Sequence, residues 1–169
     1  GMGKSTVVNI LSGKLKPNLG RYEDPPEWNE IFKHYSGTEL KNHFQKIERN
    51  EIRASIKPQQ IHRLAEAFEG TGNELLEKYD ERGVTRELVR ELGLQNSMEK
   101  SLKELSGGEL QRIAVAAAAS KDTEFYFFDE PSSYNDVYQR IGVARVIQGL
   151  AKIGKSVMIV EHDLTLLDF

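Results

Sequence analysis

The strongest hydrophobic pattern in the chain is an unbroken apolar run, Phe125-Tyr126-Phe127-Phe128, ending in Asp129 and Glu130. It predicts a buried strand that delivers two carboxylates at its carboxyl end. Residues 155–160 predict a second buried strand, running into Glu161-His162-Asp163, and residues 53–58 alternate weakly as a third, leading to Gln59. Elsewhere the spacing is helical. Val7, Val8, Ile10, Leu11 and Leu15 form the apolar side of a helix over 4–14 that the segment from Pro17 to Gly20 ends. Asp24-Pro25-Pro26 supplies a cap and helix-starting prolines before Trp28, Ile31 and Phe32. Gly37-Thr38 breaks that helix, and Thr38 caps another through Leu40, Phe44 and Ile47, so 27–49 reads as a helix-loop-helix packed through Trp28 and Phe44. Short helices over 73–79 and 85–92, the second closed by Gly93, fall in a helical subdomain over 60–120 with an alanine-rich helix over 108–119. A last helix covers 136–151. Strands alternating with helices predict an α/β fold with a mainly parallel sheet.

Two segments carry phosphate chemistry. In Leu105-Ser106-Gly107-Gly108-Glu109-Leu110-Gln111-Arg112 the glycines let backbone N–H groups approach an anion, Ser106 adds a hydroxyl donor, and the helix that follows presents its positive end. Gly1-Met2-Gly3-Lys4-Ser5-Thr6 is the back half of a phosphate-binding loop, G-x-x-x-x-G-K-[ST]. There the backbone and Lys4 cradle the β- and γ-phosphates of ATP, Ser5 ligates Mg²⁺, and Asp129 holds the ion through its water shell. Gln59, at a strand end, is the candidate that links the γ-phosphate and Mg²⁺ to the helical subdomain. Each motif alone is common; their order along one chain predicts a P-loop NTPase.

Composition narrows this reading. A chain of 169 residues buries enough surface for one domain with a core. It has no cysteine, which excludes disulfides and cysteine-ligated metals within it. Net charge is −3, and the helix-loop-helix balances Lys33, Lys41, Lys46 and Arg49 against Glu27, Glu30, Glu39 and Glu48, leaving no footprint for general nucleic-acid binding. No apolar stretch reaches the length of a membrane span and no secretory signal is visible, so a soluble, cytoplasmic protein is expected. The start without methionine, the missing first half of the phosphate loop and the stop at Asp168-Phe169 inside a new helical pattern mark the chain as a fragment of a longer protein. His34, His43 and His62 read as surface residues.

The series resembles the nucleotide-binding domain of ABC ATPases over nearly the whole chain. Lys14-Leu15-Lys16-Pro17-Asn18-Leu19-Gly20, Pro25-Pro26-Glu27-Trp28, Ile56-Lys57-Pro58-Gln59 and Phe128-Asp129-Glu130-Pro131-Ser132-Ser133-Tyr134 are similar to the first such domain of the E subfamily, the ribosome-recycling factors also called RNase L inhibitors. The resemblance implies that Glu130 is the general base and that His162 contacts the γ-phosphate. It implies head-to-tail pairing with a second ABC domain of the same parent chain, so that Ser106, Gly107 and Gly108 cap ATP held opposite and Asp136 reaches across. This chain alone is therefore expected to hydrolyse ATP weakly or not at all. Contact with the small ribosomal subunit through the helix-loop-helix, a release-factor partner, and iron–sulfur clusters on cysteines preceding the phosphate loop are implied in the same way.

This sequence departs from the family pattern at Asn135, where leucine is usual, and at Ser36-Gly37-Thr38, where Arg-Gly-Ser is usual. The aromatic residue that stacks on adenine would precede Gly1. A transporter ATPase subunit shares the catalytic motifs and is the alternative. The helix-loop-helix and the Lys-Pro-Gln junction favour the recycling factor. A chromosome-maintenance ATPase needs a long coiled coil between Gln59 and Ser106, and residues 60–105 are too few for it.

Overall fold

The computed structural model describes residues 3–162, which belong to two compact units, Gly1–Ala54 and Ser55–Phe169. In the first, α1 (Lys4–Leu11) starts after Gly3 and ends at Ser12. Gly13, at φ 77°, takes the left-handed conformation that turns the chain out of the helix, which therefore stops short of residue 14 and well before Pro17. Val8 is buried, but Val7 and Leu15, expected on the apolar side, are exposed. Leu15 lies beyond the helix, and Val7 points about 100° away from Val8 around the axis.

The helix-loop-helix forms as α2 (Trp28–His34) and α3 (Glu39–Glu48). Its first cap is Glu27 rather than Asp24: the Glu27 N–H donates to Glu30 Oε1 at 3.1 Å. Thr38 occupies the second cap position, yet its hydroxyl donates backward to the Tyr35 carbonyl at 2.8 Å. The two helices bury Ile31, Phe44 and Ile47, with Trp28, Phe32 and Tyr35 partly buried around them. The centre of this small core is thus Ile31 and Phe44, and Trp28 lies at its margin. His43 is half-buried, with Nε2 2.8 Å from the Leu11 carbonyl, so it is not the free surface residue expected.

The second unit is built on a sheet of order β1 (Ala54–Lys57), β2 (Phe125–Asp129), β3 (Ser156–Val160), with only Ala54 falling in the first unit. β2 and β3 are parallel, Phe125 opposite Ser156 and Asp129 opposite Val160. Every β2 residue is buried, as expected of the apolar run. β3 is not the buried strand anticipated: Ser156 is exposed and the rest are half-covered, because β3 is an outer strand among the described residues.

Around the sheet lie α4 (His62–Ala67), α5 (Gly72–Tyr79), α6 (Thr85–Glu91), α7 (Gly107–Ala119) and α8 (Val137–Lys152), with a 3-10 turn over Leu102–Glu104. α7 is the central helix, buried from Leu110 to Ala119 and packed on α5, α6, α8 and β2. Its alanines have little side-chain volume and let all four neighbours approach. α6 starts where Asp80 accepts hydrogen bonds from Val84 N, Arg82 N, Thr85 N and Thr85 Oγ1. Burial pushes the Asp80 carboxyl up, and these bonds outweigh it and hold the group below its ordinary value. α8 crosses α6 at Gly142, where a Cβ would stand 2.6 Å from the Glu91 carbonyl oxygen.

Candidate active site

The carboxyl ends of all three strands converge on one side chain. Glu130, directly after β2, has φ 47°, a left-handed conformation that costs a non-glycine residue about 1–2 kcal/mol. Its N–H donates to the Val160 carbonyl at 2.7 Å, tying it to β3. In this pose its carboxylate meets Gln59 from beyond β1, whose Nε2 donates to Oε1 at 2.7 Å. His162, from beyond β3, brings Nε2 within 3.3 Å of the same oxygen. Glu130, Gln59 and His162, three residues singled out as strand-end groups, are therefore brought together. Oε2 of Glu130 accepts no hydrogen bond from the described residues, and the side chain keeps 17% of its surface exposed.

Behind this cluster lie groups to which the sequence motifs assign no role of their own. Lys57 is 1% exposed, and its Nζ donates to the Asp129 carbonyl at 2.8 Å and the Glu130 carbonyl at 3.4 Å. Burial pushes its ammonium down to about 8, against the opposing pull of Asp129, Glu161 and Glu130. Gln111, buried on α7, donates from Nε2 to the Glu130 carbonyl at 2.5 Å. Glu161 Oε1 accepts from Ser132 N at 2.8 Å and Ser132 Oγ at 2.6 Å, fastening the loop after Glu130. The sequence signals for them are a lysine inside a strand before Pro58, and a glutamine and an arginine within the otherwise apolar stretch Leu110–Ala119 of α7.

Asp129 is 9% exposed, and with Gln59 it contributes oxygen donors of the kind Mg²⁺ takes. The described residues contain no group of three or more His, Cys, Asp or Glu able to hold a metal by themselves. In the first unit, Gly3 caps α1 at φ 106°, Lys4 is half-buried, and Ser5 and Thr6 are exposed on the first turn. Gly1, Met2 and Asp163 lie outside the described residues.

Ser106, Gly107 and Gly108 open α7 beside a concavity of about 620 Å³ that Arg112, Tyr134 and Gln139 also line. A Cβ on Gly108 would fall 2.7 Å from the Tyr134 carbonyl oxygen, so glycine is what lets the two backbones meet. The Ser106 hydroxyl is already engaged: it donates to Glu109 Oε2 at 2.7 Å, and Ser106 N donates to the same oxygen at 2.9 Å. Glu109 Oε1 accepts from Ser97 Oγ at 2.6 Å and Lys100 Nζ at 3.1 Å. The Ser97 bond first, then those from Ser106, hold the Glu109 carboxyl down at about 2 despite some burial. Asp136 caps α8, accepting from Gln139 N at 2.9 Å. Asn135, where leucine was the family expectation, is 5% exposed and accepts from Arg112 Nη1 at 2.8 Å. Arg112 is itself buried, which lowers its pKa, and its Nε has no partner among the described residues.

A family model described as "ABC transporter" matches residues 1–133. The chain belongs to the ABC ATPase family. Within it the likeness is to the E subfamily: 46% identity over the whole chain to ABC transporter E family member 1 of Arabidopsis thaliana, and 44% to translation initiation factor RLI1 of Saccharomyces cerevisiae. The chain spans only 28% and 29% of those two proteins. Among solved structures, it matches archaeal ribosome recycling factor aABCE1, in complex with ribosomal stalk protein aP1, with TM-score 0.87 and 48% identity. That match covers 99% of this chain and 32% of the other. A model of ribosome-bound archaeal Pelota and ABCE1 gives TM-score 0.92 and 50% identity, covering 99% of this chain and 28% of the other. The expected ABC-type P-loop NTPase fold is therefore the one observed. Among the described residues no helix is long and apolar enough to cross a membrane.

Proposed function

We propose that this ABC domain binds and hydrolyses ATP as the first nucleotide-binding domain of a cytoplasmic ribosome-recycling factor, which splits ribosomal subunits after termination. The observation that carries the chemistry is the Glu130 carboxylate, fixed through Oε1 by Gln59 and His162 with Oε2 left for a water molecule. Glu130 orients that water and takes its proton as the water oxygen attacks the γ-phosphorus. The bond to the β–γ bridging oxygen breaks and ADP leaves. Lys4 and the backbone of Gly1, Met2, Gly3 and Thr6 hold the β- and γ-phosphates. Ser5, Gln59 and Asp129 serve Mg²⁺, which supplies charge neutralisation when bound. Ser106, Gly107, Gly108 and Asp136 act on ATP held by a second ABC domain of the same parent chain.

The partner assignment rests on the relatives, whose names speak of translation initiation, ribosome recycling and ribosome-bound Pelota. The small ribosomal subunit and a release factor are the proposed partners, with α2 and α3 as the contact. Any iron–sulfur cluster lies outside these residues, which include no cysteine. The test is co-sedimentation of the full natural chain carrying Glu130→Gln with small ribosomal subunits, with and without ATP. ATP-dependent retention is expected. Nucleotide binding without retention would refute the ribosomal role.

A further inference from the structure

The Glu130 side chain is held by Gln59 and His162, both read as strand-end groups, but its backbone is held by two buried side chains that have no assigned role. Lys57 and Gln111 are each 1% exposed, and both aim their only described hydrogen bonds at carbonyls of the Asp129-Glu130 segment. Neither is placed economically for packing. An ammonium loses its hydration when buried, and Gln111 Oε1 lies buried with no partner among the described residues. What these groups stabilise is an unfavourable conformation: Glu130 stands at φ 47°, a region a glutamate leaves unless it is restrained. Its carbonyl accepts from Gln111 Nε2, Lys57 Nζ and Ser133 N at 2.5, 3.4 and 3.4 Å, while its N–H is held by Val160.

We infer that Lys57 and Gln111 are positioning residues, which clamp the backbone of the strand-end acid in its left-handed pose so that the carboxylate is set for the attacking water. The inference rests on the reading of Glu130 as general base. Neither residue touches substrate, so their effect must pass through Glu130.

The experiment is a double-mutant cycle in the full natural chain: Lys57→Met and Gln111→Met, each alone and combined with Glu130→Gln, read by kcat, KM for ATP and melting temperature. Each single substitution is expected to lower kcat about 10-fold or more and to leave KM within about 2-fold, because the base is misplaced while ATP contacts stay. Added to Glu130→Gln, neither should lower the residual rate further. Gln111→Glu, which keeps the shape but presents an acceptor to the carbonyl, should lose as much as Gln111→Met. An unchanged kcat overturns the clamp, and so does an equal loss in the Glu130 and Glu130→Gln backgrounds, since the effect would then bypass the acid. If Lys57→Met does not fold, the Gln111 variants decide alone. Should Glu130→Gln hydrolyse at the parental rate, the base reading itself fails, an outcome separate from the other two.

Discussion

Replacing Glu109 with glutamine isolates one carboxylate and tests whether its charge stabilises the fold. Each carboxylate oxygen takes one donor that cannot reverse its role: Lys100 Nζ on Oε1 and Ser106 N on Oε2. Whichever way the amide of Glu109→Gln is turned, its NH₂ faces a fixed donor and loses that bond. The native carboxyl is held at about 2 against an ordinary value of 4.5, and at roughly 1.4 kcal/mol per pKa unit the ceiling is about 3 kcal/mol. The side chain keeps 19% of its surface exposed, and solvent screening brings the expected loss at neutral pH to about 1–2 kcal/mol. The sign follows from linkage. The folded pKa lies below the unfolded one, so the contribution is complete above about 4.5 and disappears as pH falls toward about 2. Urea unfolding of parent and variant across pH 7 to 3 should show two curves that differ at neutral pH and approach each other in acid. A gap that stays constant down to pH 3, or no gap at pH 7, would refute the assignment of this stability to the Glu109 charge.

Three other substitutions probe the rest of the molecule. Glu130→Gln should lower ATP turnover by about 10²–10⁴-fold, roughly 3–5 kcal/mol of transition-state stabilisation, with ATP affinity retained in an equilibrium binding assay. Gly142→Ala places a methyl 2.6 Å from the Glu91 carbonyl and should cost about 1–3 kcal/mol in thermal unfolding by forcing α8 off α6. Asn135→Leu installs the residue the family pattern leads one to expect but removes the acceptor of buried Arg112, so a loss of about 1.5–3 kcal/mol in chemical denaturation is expected.

Much of the fold was legible because its elements announce their limits. β2 is an apolar run closed by two acids, and α6 ends at Glu91 just before Gly93, which has φ 62°. The misreadings were local. The apolar pattern extends α1 to residue 14 because apolar residues continue to Leu15, whereas Gly13 already turns the chain. α4, six residues long with none buried, has too little periodicity to be seen in sequence. β3 reads as buried from its apolar composition, but coverage depends on what packs beside it, which its own residues do not encode.

The site divides along a similar line. Gln59, Glu130 and His162, which the structure brings together, are legible because they sit at strand ends, and strand ends are marked by where the apolar pattern stops. Lys57 and Gln111 escaped because they act on backbone carbonyls, which every residue possesses and no residue type flags. Ser106 is a different case, since two legible signals overlap there. Ser-Gly-Gly before a helix marks an anion site, while Ser106 with Glu109 three residues on spells a capping box, and the structure shows the box closed. One hydroxyl has one proton to donate. At this helix end, the hydroxyl's bond to Glu109 Oε2 and its donation to a phosphate oxygen are therefore alternatives, while the capping bonds from Ser106 N and Glu109 N are compatible with either; the choice between the two acceptors turns on the carboxylate that Glu109→Gln removes.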